Sequence, residues 1–369
     1  MSQETPIRIG IIGTGQVAQT HMKEYRDMPS VQMVACADLD PAAAERSAKE
    51  YGIANVYADF RQLLARDDID AVDVCLHNNL HRPVTEESLA AGKHVYCEKP
   101  IAGSYIDGAA MVDAARASGK KLGVQLFSLY TDDTLAALEL IQAGELGEIY
   151  HARSTGHRRR GRPFVDGYGS QGFVQKAHSA GGALYDMGVY HIAQMLYLLG
   201  NPMVERVSGK TYQKTAMDAE RRQASNYDVE ELGLGLVRFA GGLTLDIIEA
   251  WAIHLDPFEG SYLVGDRGGI RLSPFGFFNS VGHLEMTSKV DLPTARLRWN
   301  RVRGDGAFYA SAQKHWIAAL QGKVDLVPSA EIALNTMLIS EAIYLSDSLG
   351  REVTTDEVKA LSKSTALVA

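Results

Sequence analysis

The segment Ile7-Arg8-Ile9-Gly10-Ile11-Ile12 runs directly into Gly13-Thr14-Gly15-Gln16-Val17-Ala18, an apolar strand pattern followed by G-x-G-x-x-A at the opening of a helix-period stretch. In such a turn the first glycine permits the reversal and the second lets the backbone approach a ligand. A small residue at the position of Ala18 lets the helix pack closely on the strand. The helix N-terminus brings unpaired N–H groups and the positive end of its dipole, which suits a pyrophosphate. The next strand pattern closes on Val34-Ala35-Cys36-Ala37-Asp38, and a carboxylate there can hold the ribose hydroxyls of a dinucleotide. Gly13, Gly15, Gln16, Val17, Ala18 and Asp38 are therefore read as cofactor-binding residues. Asp38 repels a 2′-phosphate and Leu39-Asp40 supply no basic residue to receive one, so NAD is expected rather than NADP.

Apolar runs alternate with helical patterns through the first third of the chain. Strands are expected at Ile7–Ile12, Val31–Ala37, Ala71–Leu76, His94–Cys97 and Leu122–Gln125, with helices near Gln16–Tyr25, Pro41–Tyr51, Arg61–Ala65, Val84–Ala91 and Ile106–Ala117. That rhythm predicts an α/β fold with a doubly wound parallel sheet over residues 1–125. After a helix at Thr134–Ala143, a strand at Ile149–Ser154 and a long helix at Ala183–Leu199, the runs Glu205–Tyr212, Leu232–Phe239, Leu243–Ala252, Ser261–Val264 and Gly269–Leu272 follow without helices between them. Residues 126–369 are thus expected to form an α+β domain with a large, mostly antiparallel open sheet. Helices at Tyr309–Leu320 and Ala330–Leu349 close the chain, the latter with Ser329 as N-cap and Gly350 as stop, and the C-terminal helix is placed against the first domain.

Composition narrows the function classes. Among 369 residues, 37 Lys+Arg stand against 45 Asp+Glu, a net charge of −8 that argues against a general nucleic-acid or membrane-surface binder. Cys36, Cys75 and Cys97 lack paired spacing, and the His and Cys residues lack ligand spacing, so neither a disulfide framework nor a metal is expected. The start, Met1 through Pro6, shows no export signal and no run approaches a membrane span; a cytoplasmic location is expected.

Four further segments carry a resemblance. They are Asn78-Asn79-Leu80-His81-Arg82-Pro83, Gly92-Lys93-His94-Val95-Tyr96-Cys97-Glu98-Lys99-Pro100, Gly181-Gly182-Ala183-Leu184-Tyr185-Asp186-Met187-Gly188-Val189-Tyr190-His191, and Glu341-Ala342-Ile343-Tyr344-Leu345-Ser346. Together the chain resembles the Gfo/Idh/MocA oxidoreductases, the family of glucose–fructose oxidoreductase and inositol dehydrogenase, over essentially its whole length. The resemblance implies that Lys99 lies beside the nicotinamide and the reacting carbinol, with Glu98 tuning it and a cis peptide before Pro100. Like-charge repulsion from NAD⁺ and desolvation are then expected to lower the Lys99 pKa. The resemblance also places Leu76, His77, Asn78, His81, Glu98 and Lys99 along the cofactor. Many members have Thr-Pro where this chain has Leu76-His77, which leaves His77 either a pocket residue or a loop donor.

Asp186 and Tyr190 lie about 40° apart around an ideal helix and can share one site, whereas His191 lies about 140° from Asp186. Tyr190 is therefore given the acid/base or hydroxyl-positioning role and Asp186 the substrate hydroxyl contact. His191 is the fallback if the helix begins irregularly. In inositol-dehydrogenase-like members the position of Tyr190 is histidine; tyrosine resembles the glucose–fructose oxidoreductase branch.

Arg153, Arg158, Arg159, Arg160 and Arg162 crowd a ten-residue stretch without an acidic residue, followed by Lys176 and His178. Guanidinium groups clamp carboxylate, phosphate or sulfonate by forked hydrogen bonds, and one or two of the five are expected at an anionic substrate. Arg158, Arg159, Lys176, His178 and Tyr168 are the substrate candidates. Three functions are weighed. The first is an NAD(H)-dependent oxidoreductase acting on a secondary hydroxyl of a sugar, polyol or glycoside. The second is an NAD-dependent glycoside hydrolase working by transient C3 oxidation, on an anionic glycoside such as a sulfoquinovoside. The third is a non-catalytic NAD-binding sugar sensor. A homodimer or homotetramer is expected, because family members usually pair the exposed sheet face between subunits.

Overall fold

A computed structural model describes residues 5–256 and 260–367; residues 1–4, part of the start read as lacking an export signal, lie outside the described residues. Six parallel strands, β1 (Ile7–Ile12), β2 (Val31–Ala37), β3 (Asn55–Tyr57), β4 (Ala71–Val74), β5 (His94–Cys97) and β6 (Leu122–Val124), form one sheet in the order β3-β2-β1-β4-β5-β6. This is the doubly wound arrangement that the alternating pattern predicts. β4 is buried at all four positions, as a strand covered on both faces must be. The three-residue edge strand β3 carries no apolar run, and the sequence pattern passes over it.

Local chemistry delimits the covering helices. Asp40 caps helix Pro41–Tyr51 by accepting the Ala42 N–H at 3.0 Å, Pro41 opens it, and Gly52 closes it at φ 69°. Ser104 similarly accepts the Asp107 N–H at the start of helix Tyr105–Ser118.

The second sheet has nine strands. They are β7 (Ile149–His157), β8 (Val204–Tyr212), β9 (Leu232–Phe239), β10 (Thr244–Ala250), β11 (Tyr262–Gly265), β12 (Gly268–Arg271), β13 (Gly276–Val281), β14 (Leu284–Ser288) and the two-residue β15 (Val353–Thr354). Their order is β14-β13-β12-β11-β7-β10-β9-β8-β15, antiparallel except for the parallel pair β7 and β10. The β13–β14 hairpin departs from the expectation because β14 is exposed along its whole length and has no buried face to impose alternation.

Helix Ser329–Leu349 lies between the two sheets. Ser329 does not cap it as expected: the residue is the first helical position after Pro328, and its hydroxyl instead accepts the Val124 N–H at 3.0 Å. Gly350 ends the helix at φ 67°, and Glu341 accepts the Tyr105 N–H at 2.7 Å. Cys36, Cys75 and Cys97 are buried free thiols.

Arg162 is fully buried and structural, which removes it from the anion-binding cluster. Its guanidinium bonds Asp166 at 2.8 Å, Glu231 at 2.9 Å and the carbonyls of Thr215 and Ala216 at 3.0 Å. Arg162→Ala strands two buried carboxylates and is expected to cost about 3–5 kcal/mol in urea unfolding; a loss below about 1 kcal/mol would contradict this role.

Candidate active site

Gly13 turns at φ 88°, and a Cβ there would stand 2.4 Å from the Cys75 carbonyl oxygen. A Cβ on Gly15, immediately before helix Gln16–Arg26, would meet nothing within 4 Å, so the turn faces open space along its helix N-terminus. Gln16 and Val17 are exposed beside it, and Ala18 is buried against the sheet. The Thr14 N–H and hydroxyl donate to Asp38 Oδ2 at 2.7 and 2.9 Å, which fixes the carboxylate at the end of β2 beside the turn. This cradle fits NAD: a bare backbone for the pyrophosphate and a positioned carboxylate for the ribose.

Leu76, His77 and Asn78 follow β4 at the same edge of the sheet, His77 exposed and Asn78 donating to the Ser179 carbonyl at 2.7 Å. His178 faces His77 with ring centroids 6.4 Å apart. Lys176 is turned elsewhere, its ammonium 6.0 Å from the centroid of the Tyr344 ring. His81, expected along the cofactor, is completely buried, with its two ring nitrogens 2.8 Å from the Pro100 and 3.0 Å from the Leu76 carbonyl oxygens. It ties together the two loops at the site from beneath.

The loop after β5 delivers Lys99, and the Lys99–Pro100 peptide is cis. Lys99 Nζ donates to Asp186 Oδ1 at 3.0 Å and to the Asp186 carbonyl at 2.9 Å, and lies 4.7 Å from the centroid of the Tyr190 ring. The second Asp186 oxygen accepts the Trp251 indole N–H at 3.0 Å. Phe127 packs on the other side of Tyr190, with centroids 4.4 Å apart. Burial works to lower the Lys99 pKa, but Asp186, Tyr190 and Glu98 outweigh it and hold the ammonium above its ordinary value. Asp186 feels burial pushing upward, yet Lys99 and the Trp251 hydrogen bond keep it below the usual carboxylate range. The protein's own charges therefore raise the Lys99 pKa instead of lowering it as expected. Burial pushes the Tyr190 hydroxyl up to about 12.

Asp186 sits in a π-helical turn, Leu184–Gly188, that continues as α-helix Val189–Leu198. The wider turn has local causes. Buried Glu230 accepts the Gly182 and Leu184 N–H groups at 2.9 Å each, and a Cβ on Gly188 would stand 3.0 Å from Glu249 Cγ. A π turn rotates each residue by less than the 100° of an α-helix, so the angle of about 140° expected between Asp186 and His191 does not carry over unchanged. His191 Nδ1 lies 2.9 Å from Glu249 Oε2, and the other Glu249 oxygen accepts the Ser154 hydroxyl at 3.0 Å. Burial alone would lower the His191 pKa; the Glu249 carboxylate raises it above the ordinary value.

Of the five arginines, Arg158 is the one whose charge acts on both Asp186 and His191. It bonds the Gly161 carbonyl at 3.1 Å and the Tyr168 hydroxyl. Arg159, a substrate candidate from the sequence, instead pairs with exposed Asp256. Arg153 pairs with Asp246 at 2.6 Å, and Arg160 reaches Asp166 at 3.5 Å. Glu98, grouped with the cofactor residues, spends both oxygens inside the protein, on His21 and on the Lys99 N–H.

Glu230, Glu249 and Trp251 are site residues that the sequence reading misses. Leu245, Ile247, Glu249 and Trp251 are the buried alternate positions along and just after β10; a glutamate in that otherwise apolar file was the available signal. Two surface concavities, of about 1180 and 580 Å³, lie along β11–β14 and beside Phe127 and contain neither Lys99 nor the Gly13–Ala18 turn. The convergent charges locate the site better than concavity does.

Residues 7–126 match the oxidoreductase family with NAD-binding Rossmann fold, and residues 134–271 match the GFO/IDH/MocA C-terminal domain. D-glucoside 3-dehydrogenase of Escherichia coli (strain K12) is 30% identical over 357 residues, 95% of this chain and 97% of that protein. The dTDP-3,4-didehydro-2,6-dideoxy-alpha-D-glucose 3-reductase of Saccharopolyspora spinosa is 31% identical over 297 residues, 78% of this chain and 81% of that protein. A levoglucosan dehydrogenase in complex with NADH shares the fold with a TM-score of 0.79 at 21% identity, covering 95% of this chain and 99% of the other. With the dinucleotide turn, the Glu98-Lys99-Pro100 loop and both matching regions in place, the chain belongs to the Gfo/Idh/MocA family of NAD-binding sugar oxidoreductases.

Proposed function

We propose that the protein is an NAD-dependent dehydrogenase acting on a secondary ring hydroxyl of a glycoside, with Lys99 as the acid/base group. The observation that carries this reading is the Lys99–Asp186 pair at the C-terminal edge of the parallel sheet, the edge that also carries the dinucleotide turn. NAD⁺, when bound, accepts the hydride from the carbinol carbon. The hydroxyl proton passes to Lys99 Nζ, whose positive charge Asp186 stabilises while Trp251 keeps the carboxylate in place. Tyr190 orients the hydroxyl from beside the ammonium. The name of the E. coli relative makes an aryl glucoside, with oxidation at C3, the first substrate to test.

The raised pKa of Lys99 bears on direction. At neutral pH the group is an ammonium, ready to donate to a ketone oxygen but not to accept a proton. Below the pKa that Lys99 has with NAD⁺ bound, kcat/KM for oxidation is expected to rise about tenfold per pH unit, while ketone reduction stays level and falls only above the pKa that Lys99 has with NADH bound. Pre-steady-state and steady-state pH profiles check this; a level oxidation profile from pH 6 to 10 would exclude Lys99 as the base. Lys99→Ala is expected to lower kcat by about 10²–10⁴ with NAD⁺ binding retained.

Arg158 is proposed as the contact for an anionic group on the substrate, because it is the arginine whose charge reaches Asp186. Arg158→Gln should raise KM for a uronide or sulfonated glycoside by about 10–100-fold and leave the neutral glucoside unaffected. Equal losses on both substrates would remove the anion assignment.

The His191–Glu249 pair favours a second reading, an NAD-dependent glycoside hydrolase, since hydride transfer alone needs one acid/base group and this pair supplies another. Incubation with NAD⁺ and aryl glycosides, following NADH absorbance and aglycone release together, separates the two. Accumulating NADH supports the dehydrogenase; aglycone release without net NADH establishes the hydrolase instead. Absence of both, with NAD⁺ bound, supports the sugar sensor.

A further inference from the structure

Beneath Lys99 lies a buried charge network that the proposed reaction does not use. His21, on helix Gln16–Arg26, is 1% exposed, with Nδ1 2.9 Å from Asp73 Oδ2 and Nε2 2.9 Å from Glu98 Oε1. Each carboxylate also meets a donor on its second oxygen. Cys75 Sγ stands 3.3 Å from Asp73 Oδ1, and the Lys99 backbone N–H donates to Glu98 Oε2 at 2.9 Å. The second oxygen of each carboxylate thus acts as an acceptor and leaves the first to face the ring, and an imidazole flanked by two ionised carboxylates must offer two N–H groups. A neutral ring has only one.

We infer that His21 is a permanently protonated imidazolium that keeps Glu98 ionised and fixed, and through Glu98 positions the Lys99 backbone and its ammonium. The remaining groups around the ring agree with this state. Tyr25 from the same helix and Tyr96 from β5 are buried neutral phenols, and the Cys75 thiol is held in its neutral form by burial. With Lys99 paired to Asp186, a charged His21 ring offsets the charge that Asp73 and Glu98 would otherwise leave in a buried site, where uncompensated charge is strongly unfavourable. Burial opposes the charge on His21, but Asp73 raises its pKa well above the ordinary histidine value. The network also connects the helix whose N-terminus faces the cofactor site to the loop that carries Lys99. His21 is thus a positioning residue, coupling the cofactor-holding helix to the acid/base group.

The direct test is ¹⁵N NMR of the histidine rings in the whole protein, with the His21 signals assigned through the sequentially assigned backbone. Two protonated ring nitrogens from pH 5 to pH 9 are expected; a neutral His21 ring at pH 7 would overturn the inference. The kinetic arm rests on Lys99 being the acid/base group, whereas the NMR arm does not, so failure of that assignment and failure of this inference are distinguishable. His21→Asn and Glu98→Gln are each expected to lower kcat by about 10–100-fold, with the dissociation constant for NAD⁺ unchanged. The double variant should be no worse than the poorer single one, because one residue acts through the other. Losses that multiply in the double variant would refute the coupling, and where His21→Asn does not fold the wild-type NMR result decides alone.

Discussion

The ion pair between Lys99 and Asp186 joins two halves of the molecule, beside the Asn78–Ser179 hydrogen bond and the His77–His178 ring contact. Lys99 comes from the loop after the fifth strand of the parallel sheet, and Asp186 from a helix associated with the antiparallel sheet, 87 positions away in the chain. Neither group could be buried alone, because an isolated charge in such an environment loses far more solvation than packing returns. Each is therefore held by further contacts: the Asp186 carbonyl and the Tyr190 ring for Lys99, and the Trp251 indole for Asp186. The pair forms only when the two sheets are correctly placed relative to each other, and helix Ser329–Leu349 between them supports that placement.

The π-helical turn is the second constraint. An α-helix starting at Leu184 would set Asp186 and Tyr190 on one face and send His191 about 140° away. The glycines at 182 and 188 allow Glu230 and Glu249 to approach the helix closely, and the turn widens. His191 then meets Glu249 while Asp186 and Tyr190 stay with Lys99. Two carboxylates, Glu230 just before β9 and Glu249 in β10, thus flank the turn that carries Asp186 and leads into Tyr190 and His191.

The arginine cluster shows how a linear concentration of charge disperses in three dimensions. Every acidic group within reach competes for a guanidinium, and most of the five find a protein partner: Asp246 for Arg153, Asp256 for Arg159, Asp166 and Glu231 for Arg162. Arg158 bonds a carbonyl and a phenol, and among the described residues no carboxylate pairs with it. Pairing of this kind follows from contacts between residues far apart in the chain and leaves no mark on the local pattern.

What could be read from the chain itself was whatever rests on local period and short-range backbone chemistry. The strand, glycine turn and helix at Ile7–Ala18, the parallel sheet, most strands of the second sheet and the Gly350 stop belong here, since each depends on neighbouring residues alone. Lys99, Asp186 and Tyr190 were legible through the family resemblance of their segments. Tertiary structure alone decided the partners: Trp251 on Asp186, Glu249 on His191, Glu230 at the helix start and His21 between Asp73 and Glu98. It also withdrew His81 and Arg162 into structural roles. The reason is electrostatic: a titratable side chain takes its charge state and direction from the groups packed around it, and those groups come from distant parts of the chain.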